Sequence, residues 1–450
     1  MKNKKYDVII VGAGPAGIFA CLEIIEKSPK TKIALIEMGS RLENRKKSEV
    51  MSGFGGAGTY SDGKLHYTPK LSHERAFHLT DGEKGYQEIL NQVEETFREY
   101  GVNSEFYPKN KKETSNLIAE AERHNIESIV RRAQHVGTDK LKKVIKKLQD
   151  FLLHHGVEFI DKTAIEDVLV KNSTCTGVMD RRGNKYYAKK ILLAPGRIST
   201  KWLQDLATKH GVKYEYGMVE VGVRVEFPES VLKEYADALY EIVLKIRTNT
   251  FDDIIRTFCS CPNGYVAVED YHGYVCVNGH SDSKHESINS NFAFVSEVHL
   301  TKPVENSIAY AESIAKVAST IGGGKPILQR LADLRKGRRS TWSRLKKSLV
   351  KPSLTDVTPG DISMALPHRI VTNIKEGLEK LDEIIPGINS GSTLLYAPEV
   401  KFRSSRILTD KDLQTDIKNL YVAGDAAGIS GSITGAAVTG IIAARGMIKS

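Results

Sequence analysis

Residues 6–25 have the sequence YDVIIVGAGPAGIFACLEII, the clearest structural pattern in the chain. The first six residues form a short apolar run, which is typical of a buried parallel strand. Three glycines spaced Gly-x-Gly-x-x-Gly follow at once, and the apolar residues after them recur at helical spacing. A second apolar run, TKIALIE (31–37), ends on Glu37. Strand, glycines, helix and acid together predict the β-α-β unit of a dinucleotide-binding fold.

The residues of this unit each have a physical task. Gly12 allows the tight turn after the strand, Gly14 lets the backbone approach a diphosphate, and Gly17 lets the helix pack closely on the strand. The helix N-terminus offers free N–H groups and a partial positive charge to phosphate oxygens. Glu37, which is 20 residues after Gly17, is placed to accept hydrogen bonds from ribose hydroxyls.

A targeting segment is the main alternative for the same stretch, because the basic MKNKK precedes it. Asp7 lies where an apolar signal region would begin, and glycines and Glu23 break up a run that is too short to cross a bilayer. The chain has five cysteines, an odd and sparse set that does not form a disulfide framework. We therefore predict a cytoplasmic protein without membrane insertion.

Two later segments decide between FAD and NAD as the dinucleotide. Residues 161–196 are typical of a β-meander with an RRGN turn, and they close on the apolar strand ILLAPG (191–196). Near the end of the sequence, LYVAGD is a strand that ends on Asp425, and a helix rich in Gly, Ala, Ser and Thr follows it. Together with the glycine motif, these segments resemble the FAD flavoproteins of the glutathione-reductase-like superfamily.

This resemblance implies FAD as the cofactor. It implies that Asp425 hydrogen-bonds the ribityl chain and that the helix after it points its N-terminus at the N1/O2 edge of the flavin. A helix dipole placed there stabilises the anion of reduced flavin. Pro195 departs from the superfamily, which usually has Thr at this position, but Gly196 still allows a close approach.

The whole chain is similar to a narrower family, the uncharacterised FAD-dependent dehydrogenases, also called NAD(FAD)-utilising dehydrogenases. The matching stretches include GFGGAGTYSDGKL (53–65), VGVRVEFP (221–228) and LLYAPEVKFRSSRI (394–407). The first of them is a glycine-rich loop, whose backbone N–H groups suit phosphates or a flat ring. The predicted cofactor contacts are Gly12, Gly14, Pro15, Ala16, Gly17, Glu37, Met38, Arg45, Gly55, Gly56, Ala57, Gly58, Thr59, Ser61, Gly63, Lys64, Ile165, Ala194, Pro195, Gly196, Gly424, Asp425, Ser432 and Ile433.

The predicted fold class is α/β: a Rossmann-like FAD-binding domain with a parallel sheet, helices and a β-meander, built from discontinuous segments, with an inserted mixed α+β substrate domain. A helix at 138–156 is predicted to bury one apolar face, with Thr138 as its N-cap. The FAD-binding domain is predicted to comprise three segments: 1–83, 139–215 with the meander, and 386–450. Between them lie a helical segment, 84–138, and the substrate domain, 216–385.

Three residues are candidates for catalytic roles. Lys401 precedes the last FAD segment, where the chain passes near the flavin in the superfamily. Cys259 and Cys261 would share one face of a strand, as pocket-lining thiols, a redox pair or half of a metal site. Because a C-x-C disulfide is strained and the spacing is unlike that of zinc sites, we predict no metal site.

The chain carries a formal net charge of +10, and a basic cluster, LRKGRRSTWSRLKK, spans 334–347. Such a cluster is compatible with an anionic substrate, a phosphate or RNA, and equally with a solvated face. No aromatic interleaving or RNA module accompanies it, so no nucleic-acid partner is predicted.

These patterns predict a FAD-dependent oxidoreductase that transfers a hydride through flavin N5 between a small-molecule substrate and an electron carrier. NAD(P)H is a candidate transient donor, because the sequence has a single dinucleotide fingerprint. The alternatives are an RNA-acting flavoprotein and a non-catalytic, flavin-binding redox sensor. Substrate, reaction direction and oligomeric state stay open.

Overall fold

A computed structural model describes residues 5–46, 49–60, 63–71, 73–271, 273–280, 286–300, 306–402 and 405–449, with Thr138 and Phe402 described by their backbone alone. Within these ranges the strands are β1 (Lys5–Val11), β2 (Ile33–Ile36), β3 (Lys64–His66), β4 (Phe106–Tyr107), β5 (Ile126–Ser128), β6 (Ala133–His135), β7 (Glu158–Ile160), β8 (Ile165–Lys171), β9 (Thr174–Asp180), β10 (Lys185–Leu193), β11 (Tyr214–Glu215), β12 (Val219–Pro228), β13 (Leu244–Arg247), β14 (Ile254–Cys261), β15 (Tyr265–Asp270), β16 (Val275–His280), β17 (Asn289–Val298), β18 (Ile327–Arg330), β19 (Thr358–Pro359), β20 (Leu394–Phe402), β21 (Arg406–Ile407) and β22 (Leu420–Val422).

The α-helices in the same ranges are α1 (Pro15–Lys27), α2 (Gly82–Glu99), α3 (Lys111–Arg123), α4 (Thr138–His154), α5 (Thr200–His210), α6 (Glu229–Leu239), α7 (Ser307–Gly322), α8 (Leu331–Arg335), α9 (Trp342–Lys346), α10 (His368–Asp382) and α11 (Ile433–Lys449). Short 3-10 helices include Ala57–Tyr60, His73–Leu79 and Asp425–Ala427. Every helix in the described ranges is too short or too polar to cross a membrane.

The chain forms two compact units, each built from discontinuous segments. The first comprises residues 1–106, 131–217 and 404–450, and the second comprises 107–130 and 218–403. The predicted boundary at 215/216 lies two residues from this division, whereas 107–130 and 386–403 group with the second unit. The segment predicted as helical, 84–138, holds α2 and α3 and also three short strands.

The first unit is built on a parallel sheet. Its strands run in the order β7-β2-β1-β10, and β22 pairs with the end of β10, with every one of these pairs parallel. Strands β2 and β22 are wholly buried, as are residues 8–11 of β1 and 191–193 of β10, which explains why these stretches are apolar without alternation. The antiparallel strands β8, β9 and β10 form the predicted meander. The predicted α/β fold with a Rossmann-like domain is confirmed.

The start of α4 differs from the prediction by one residue. The helix begins at Thr138 itself, and Gly137, with φ +81°, occupies the cap position. The N-cap prediction for Thr138 was therefore wrong, because a glycine with positive φ makes the turn from the preceding strand. The apolar face of α4 is buried as predicted, from Leu141 to Leu152.

The second unit has an eight-stranded sheet in the order β19-β18-β20-β12-β17-β14-β13-β5. Strands β12 and β17 pair over ten residues, from Val219 opposite Val298 to Pro228 opposite Asn289. Alternate residues of β12, beginning at Val219, belong to an apolar core that also contains residues of α6, α7 and α10. The intervening residues Glu220, Arg224 and Glu226 are also buried, so the other face of this sheet is polar and shielded from water.

Candidate cofactor site

The ends of four parallel strands meet at one edge of the first unit's sheet. Gly12, Glu37 and Ala194 directly follow β1, β2 and β10, and Gly424 follows β22 after one residue. Backbone pairing between β1 and β2 extends to this edge, since Gly12 N–H donates to Ile36 O at 2.8 Å. Ligands of open α/β sheets bind outside the carboxyl ends of the strands, so this edge is the candidate cofactor site.

The three glycines of the Gly-x-Gly-x-x-Gly motif differ in how much space a side chain would have at each position. Gly12 has φ +104°, and a Cβ added there would lie 2.1 Å from Ala194 O. A Cβ on Gly17 would lie 2.0 Å from Gly12 O. At Gly14, in contrast, φ is −77° and the nearest atom to an added Cβ is Gly56 Cα at 4.0 Å. The fold needs glycine at the first and third positions of the motif, whereas Gly14 borders an open cradle.

The cradle lies at the N-terminus of α1. Gly14 is the N-cap of that helix and provides no side-chain cap, and Pro15 is its first residue. The N–H groups of the first turn therefore have no side-chain acceptor at the cap, and they carry the positive end of the helix dipole. Open space, glycine and uncapped N–H groups together fit the diphosphate of FAD.

Glu37 holds three backbone segments together. Its Oε2 accepts from Ala13 N at 2.9 Å, and its Oε1 accepts from Gly39 N at 2.9 Å and Gly53 N at 2.8 Å. The buried carboxylate therefore draws the glycine-rich loop onto the β1–α1 turn. Sequence patterns pointed only to a ribose partner, which stays a prediction, and offered no signal for these contacts.

The glycine-rich loop passes close to the beginnings of two helices. A Cβ on Gly56 would lie 3.1 Å from Gly14 Cα, and one on Gly58 would lie 3.0 Å from side-chain atoms of Ile433, the first residue of α11. Thr59 is 1% exposed, and its hydroxyl has no hydrogen-bond partner among the described residues.

Arg45 shapes the loop from inside. Nη1 donates to Phe54 O at 2.9 Å and Gly56 O at 3.0 Å, and Nη2 donates to Glu49 O at 2.7 Å and Val50 O at 3.1 Å. Four carbonyls thus occupy the guanidinium of a residue that the sequence assigned to FAD. In the structure Arg45 therefore orders the loop, and its predicted contact with FAD stays a prediction.

The rest of the loop and its surroundings contain the remaining predicted contacts. Ala57 begins a 3-10 helix, Gly63 has φ +71°, and Lys64 begins β3. Ser61 lies outside the described residues. The others are Met38, which is 39% exposed, Ile165, which is buried at the start of β8, and the Pro195–Gly196 pair after β10.

Asp425 is held at the end of β22 by two neighbours. Its Oδ1 accepts from Ser430 Oγ, and its Oδ2 lies 3.4 Å from Arg197 Nε. Gly424 N–H donates to Thr439 Oγ1 at 3.0 Å, which fixes the turn against α11. The sequence did not single out Ser430, Arg197 or Thr439, because they contact Asp425 and Gly424 only once the chain has folded.

Ser432, a predicted cofactor contact before the first residue of α11, belongs to a network whose other members, His73 and Tyr86, the sequence did not single out. Ser432 Oγ accepts from Gly435 N at 3.0 Å and lies 2.9 Å from His73 Nε2. His73 Nδ1 lies 2.8 Å from the hydroxyl of Tyr86. Burial lowers the pKa of His73 to about 3, and the charge of Arg131 acts in the same direction.

Comparison with known families identifies a FAD-binding domain in the chain. Residues 7–220 match the family described as FAD binding domain, and residues 218–402 match the family described as FAD-dependent protein, C-terminal domain-like. Both matches are to FAD-binding or FAD-dependent families, so the chain is a flavoprotein. The second match coincides with the main segment of the flavoprotein's second unit, 218–403.

Individual relatives are distant. An uncharacterized protein of Clostridium beijerinckii is 25% identical over 475 aligned residues, which span 98% of the flavoprotein and 80% of that protein. The FrdA chain of E. coli quinol fumarate reductase is 14% identical, with a TM-score of 0.47, and the match covers 100% of the flavoprotein and 71% of that chain. Glycine oxidase from Geobacillus kaustophilus is 12% identical, with a TM-score of 0.41 and coverages of 99% and 95%.

The three catalytic candidates belong to the second unit of the flavoprotein, around the buried Arg224. Cys259, with φ +48°, lies in a β-bulge between β14 and β17, and its carbonyl accepts from Arg224 Nη2 at 2.7 Å. The same Nη2 lies 3.3 Å from Cys261 Sγ. Lys401 Nζ pairs with Glu399 Oε1 at 2.6 Å. A catalytic role for any of the three stays a prediction.

Charges in this cluster influence one another strongly. Burial raises the pKa of Glu399, and Lys401 and Arg224 offset some of that rise. None of the five cysteines, all of which are described, forms a disulfide, and no group of three His, Cys, Asp or Glu ligands occurs among the described residues.

The basic cluster at 334–347 is partly neutralised by one carboxylate. Asp333 is fully buried, and Arg338 Nε lies 2.9 Å and Arg330 Nε 3.2 Å from its oxygens. Arg344 Nε lies at 4.0 Å, and Arg335 Nη2 donates to Asn389 O at 2.9 Å. Several of these cations therefore stabilise the local fold.

Proposed function

We propose that this flavoprotein is a dehydrogenase or reductase of the FAD-dependent, NAD(FAD)-utilising dehydrogenase family. It passes a hydride between a small-molecule substrate and an electron carrier, for which NAD(P)H is the candidate. The observation that carries the proposal is the open cradle beside Gly14, at the edge where β1, β2, β10 and β22 end.

The chain's own residues would hold and orient the cofactor. Uncapped N–H groups of α1 would bind the diphosphate, Glu37 the ribose and Asp425 the ribityl chain. The glycine-rich loop would lie along the cofactor with little side-chain obstruction. Bound FAD supplies two-electron chemistry, taking and giving a hydride at N5.

An RNA-acting flavoprotein is less well supported. Its main argument was the basic cluster, and Asp333 engages three of the arginines in and beside that segment. The non-catalytic redox sensor differs from the proposal in its kinetics rather than in its fold, so it is separated by measuring reduction rates.

Anaerobic bleaching of the purified protein tests the proposal. The flavin absorbance is followed after mixing with NADH, NADPH or candidate small-molecule donors, and free FAD under the same conditions is the control. We expect at least one donor to reduce the bound flavin faster than free FAD. If every donor reduces both at the same rate, the sensor hypothesis replaces the enzyme. A colourless protein without extractable flavin would remove both.

A further inference from the structure

Three side chains form a hydrogen-bonded chain that ends at the start of α11. Tyr86 OH lies 2.8 Å from His73 Nδ1, and His73 Nε2 lies 2.9 Å from Ser432 Oγ. Tyr86 and His73 are each 1% exposed, so water cannot replace these contacts. We call this set the Tyr86–His73–Ser432 chain.

The directions of its hydrogen bonds follow from what each group can donate. The buried hydroxyl of Tyr86 has Nδ1 as its acceptor, and no other acceptor for it occurs among the residues that the structure describes. Leaving that donor unmet would cost stability, so Tyr86 donates and Nδ1 carries no proton. Burial lowers the pKa of His73 to about 3, so the ring is neutral and its single proton lies on Nε2. Nε2–H therefore donates to Ser432.

The remaining question is which acceptor receives the hydroxyl proton of Ser432. Its oxygen accepts from His73 Nε2 and from Gly435 N, which uses both lone pairs. Thr434 Oγ1 is 3.4 Å away, a long distance for O–H···O. Thr434 Oγ1 itself donates to His66 O, and the described residues offer the proton of Ser432 no nearer acceptor, so this proton is available to a ligand.

Such an acceptor would lie at the candidate FAD site. Ser432 precedes Ile433, whose side chain packs against Gly58 of the glycine-rich loop, 3.0 Å from where a Cβ of residue 58 would lie. Two residues earlier in that loop, Gly56 borders the Gly14 cradle. The loop therefore connects the cradle at α1 with the hydroxyl at α11.

We infer that the Tyr86–His73–Ser432 chain holds a fixed hydroxyl donor against a carbonyl or anionic edge of bound FAD, and that this bond favours the reduced cofactor. The inference rests on the proposed function. Ser432 makes the contact, and His73 and Tyr86 are positioning residues. Each preceding group fixes the direction in which the next one donates.

The chain holds its proton rather than delivering it. Transfer from Ser432 would draw a proton from His73 and then from Tyr86, leaving a buried tyrosinate. Burial raises the pKa of Tyr86 far above its ordinary value, so that state is strongly disfavoured. The chain therefore stabilises negative charge by hydrogen bonding alone.

The test compares Ser432→Ala and Tyr86→Phe with the wild type. Ser432→Thr, which keeps the hydroxyl, is the rescue variant, and Thr434→Val, which removes a buried hydroxyl of the same helix end, is the matched control. The FAD-to-protein ratio and the equilibrium with a redox dye are measured for each. We expect Ser432→Ala and Tyr86→Phe to keep FAD and to favour oxidised flavin roughly tenfold more, about 30 mV for a two-electron couple. Ser432→Thr and Thr434→Val should match the wild type.

Each other outcome has a distinct meaning. An unchanged equilibrium in Ser432→Ala overturns the inference. A shift in Ser432→Ala without one in Tyr86→Phe overturns the positioning roles, and His73→Gln takes the place of Tyr86→Phe if the latter does not fold. Wild-type protein that binds no FAD rejects the proposed function instead.

Discussion

A substitution at Gly14 should weaken FAD binding without destabilising the fold. A methyl group added there meets open space, and the φ of −77° suits alanine. Gly14→Ala should therefore keep the free energy of unfolding of the FAD-free protein within about 1 kcal/mol, the size of an N-cap effect. The FAD-to-protein ratio should fall strongly, because the methyl group occupies the diphosphate cradle.

Gly12→Ala is the contrasting variant. Its methyl group would lie 2.1 Å from Ala194 O at a φ of +104°, so it should destabilise the fold with or without FAD. Urea unfolding and flavin extraction are measured on both proteins. Full FAD retention by Gly14→Ala would show that the cofactor is held elsewhere.

His73 makes the stability of the protein depend on pH. Its pKa is about 3 in the folded state, against an ordinary value of 6.5. Below pH 6.5 the unfolded chain binds a proton that the folded one does not, so this contribution to stability is lost as the pH falls. At pH 5 the loss is about 2 kcal/mol, from roughly 1.4 kcal/mol per pH unit.

Replacing His73 tests that contribution directly. His73→Gln should unfold with a shallower dependence on pH between 7 and 5 than the wild type, as followed by urea midpoints at constant salt. Equal slopes for the two proteins would mean that His73 already binds a proton in the folded state. Arg131, whose charge also lowers the pKa of His73, is retained in both proteins and so does not distinguish them.

Arg45 determines the order of a whole segment, the loop from Glu49 to Gly56. Lysine offers no planar fork and cannot serve four carbonyls together, so Arg45→Lys should loosen the loop. Hydrogen exchange at the amides of residues 53–56 should quicken roughly tenfold, an energy of about 1.4 kcal/mol. Arg41→Lys is the control, since Arg41 is partly exposed and bonds a single carbonyl, Phe159 O. Unchanged exchange in Arg45→Lys would place the loop's order in other contacts.

The strands β12 and β14 of the second unit carry a buried bidentate ion pair. Arg256 Nε and Nη2 lie 2.6 and 2.7 Å from the two oxygens of Glu220. Glu220→Gln should cost about 3–5 kcal/mol, because a buried cation loses its charge partner. The double variant Glu220→Leu with Arg256→Met should be close to neutral. Urea unfolding checks both, and a mild effect of the single change would show that Arg256 finds another carboxylate.

Local patterns predicted the elements whose signals lie within about twenty residues. The β1–α1–β2 unit, the meander and the β22–α11 segment all follow from glycine spacing and apolar periodicity. The roles of Glu37 and Arg45 could not be found this way, because their partners are backbone groups that carry no side-chain signal. His73 and Ser432 are 359 positions apart, and only the fold joins them.

The same reasoning explains the charge cluster at 334–347. Its density of Arg and Lys was visible in the sequence, and Asp333 stands immediately before it. The structure shows that this carboxylate is buried and forms ion pairs with several of those arginines. A single Asp beside many basic residues gives no such signal in the sequence. Net charge thus overstates the surface that is available to an anionic partner.

Binding of FAD should stabilise the whole first unit against unfolding. Its apolar core includes residues of β1, β2, β10, β22, α1 and α11, the elements that also form the candidate site. FAD at about 100 times its Kd would add about 2.7 kcal/mol to the stability of the folded state. Hydrogen exchange of the slowest amides in β1 and β10 should then slow about a hundredfold, if they exchange through unfolding of that unit. Gly14→Ala, which is expected to fold without holding FAD, should show no slowing. Equal exchange with and without FAD in the wild type would mean that these strands do not carry the site.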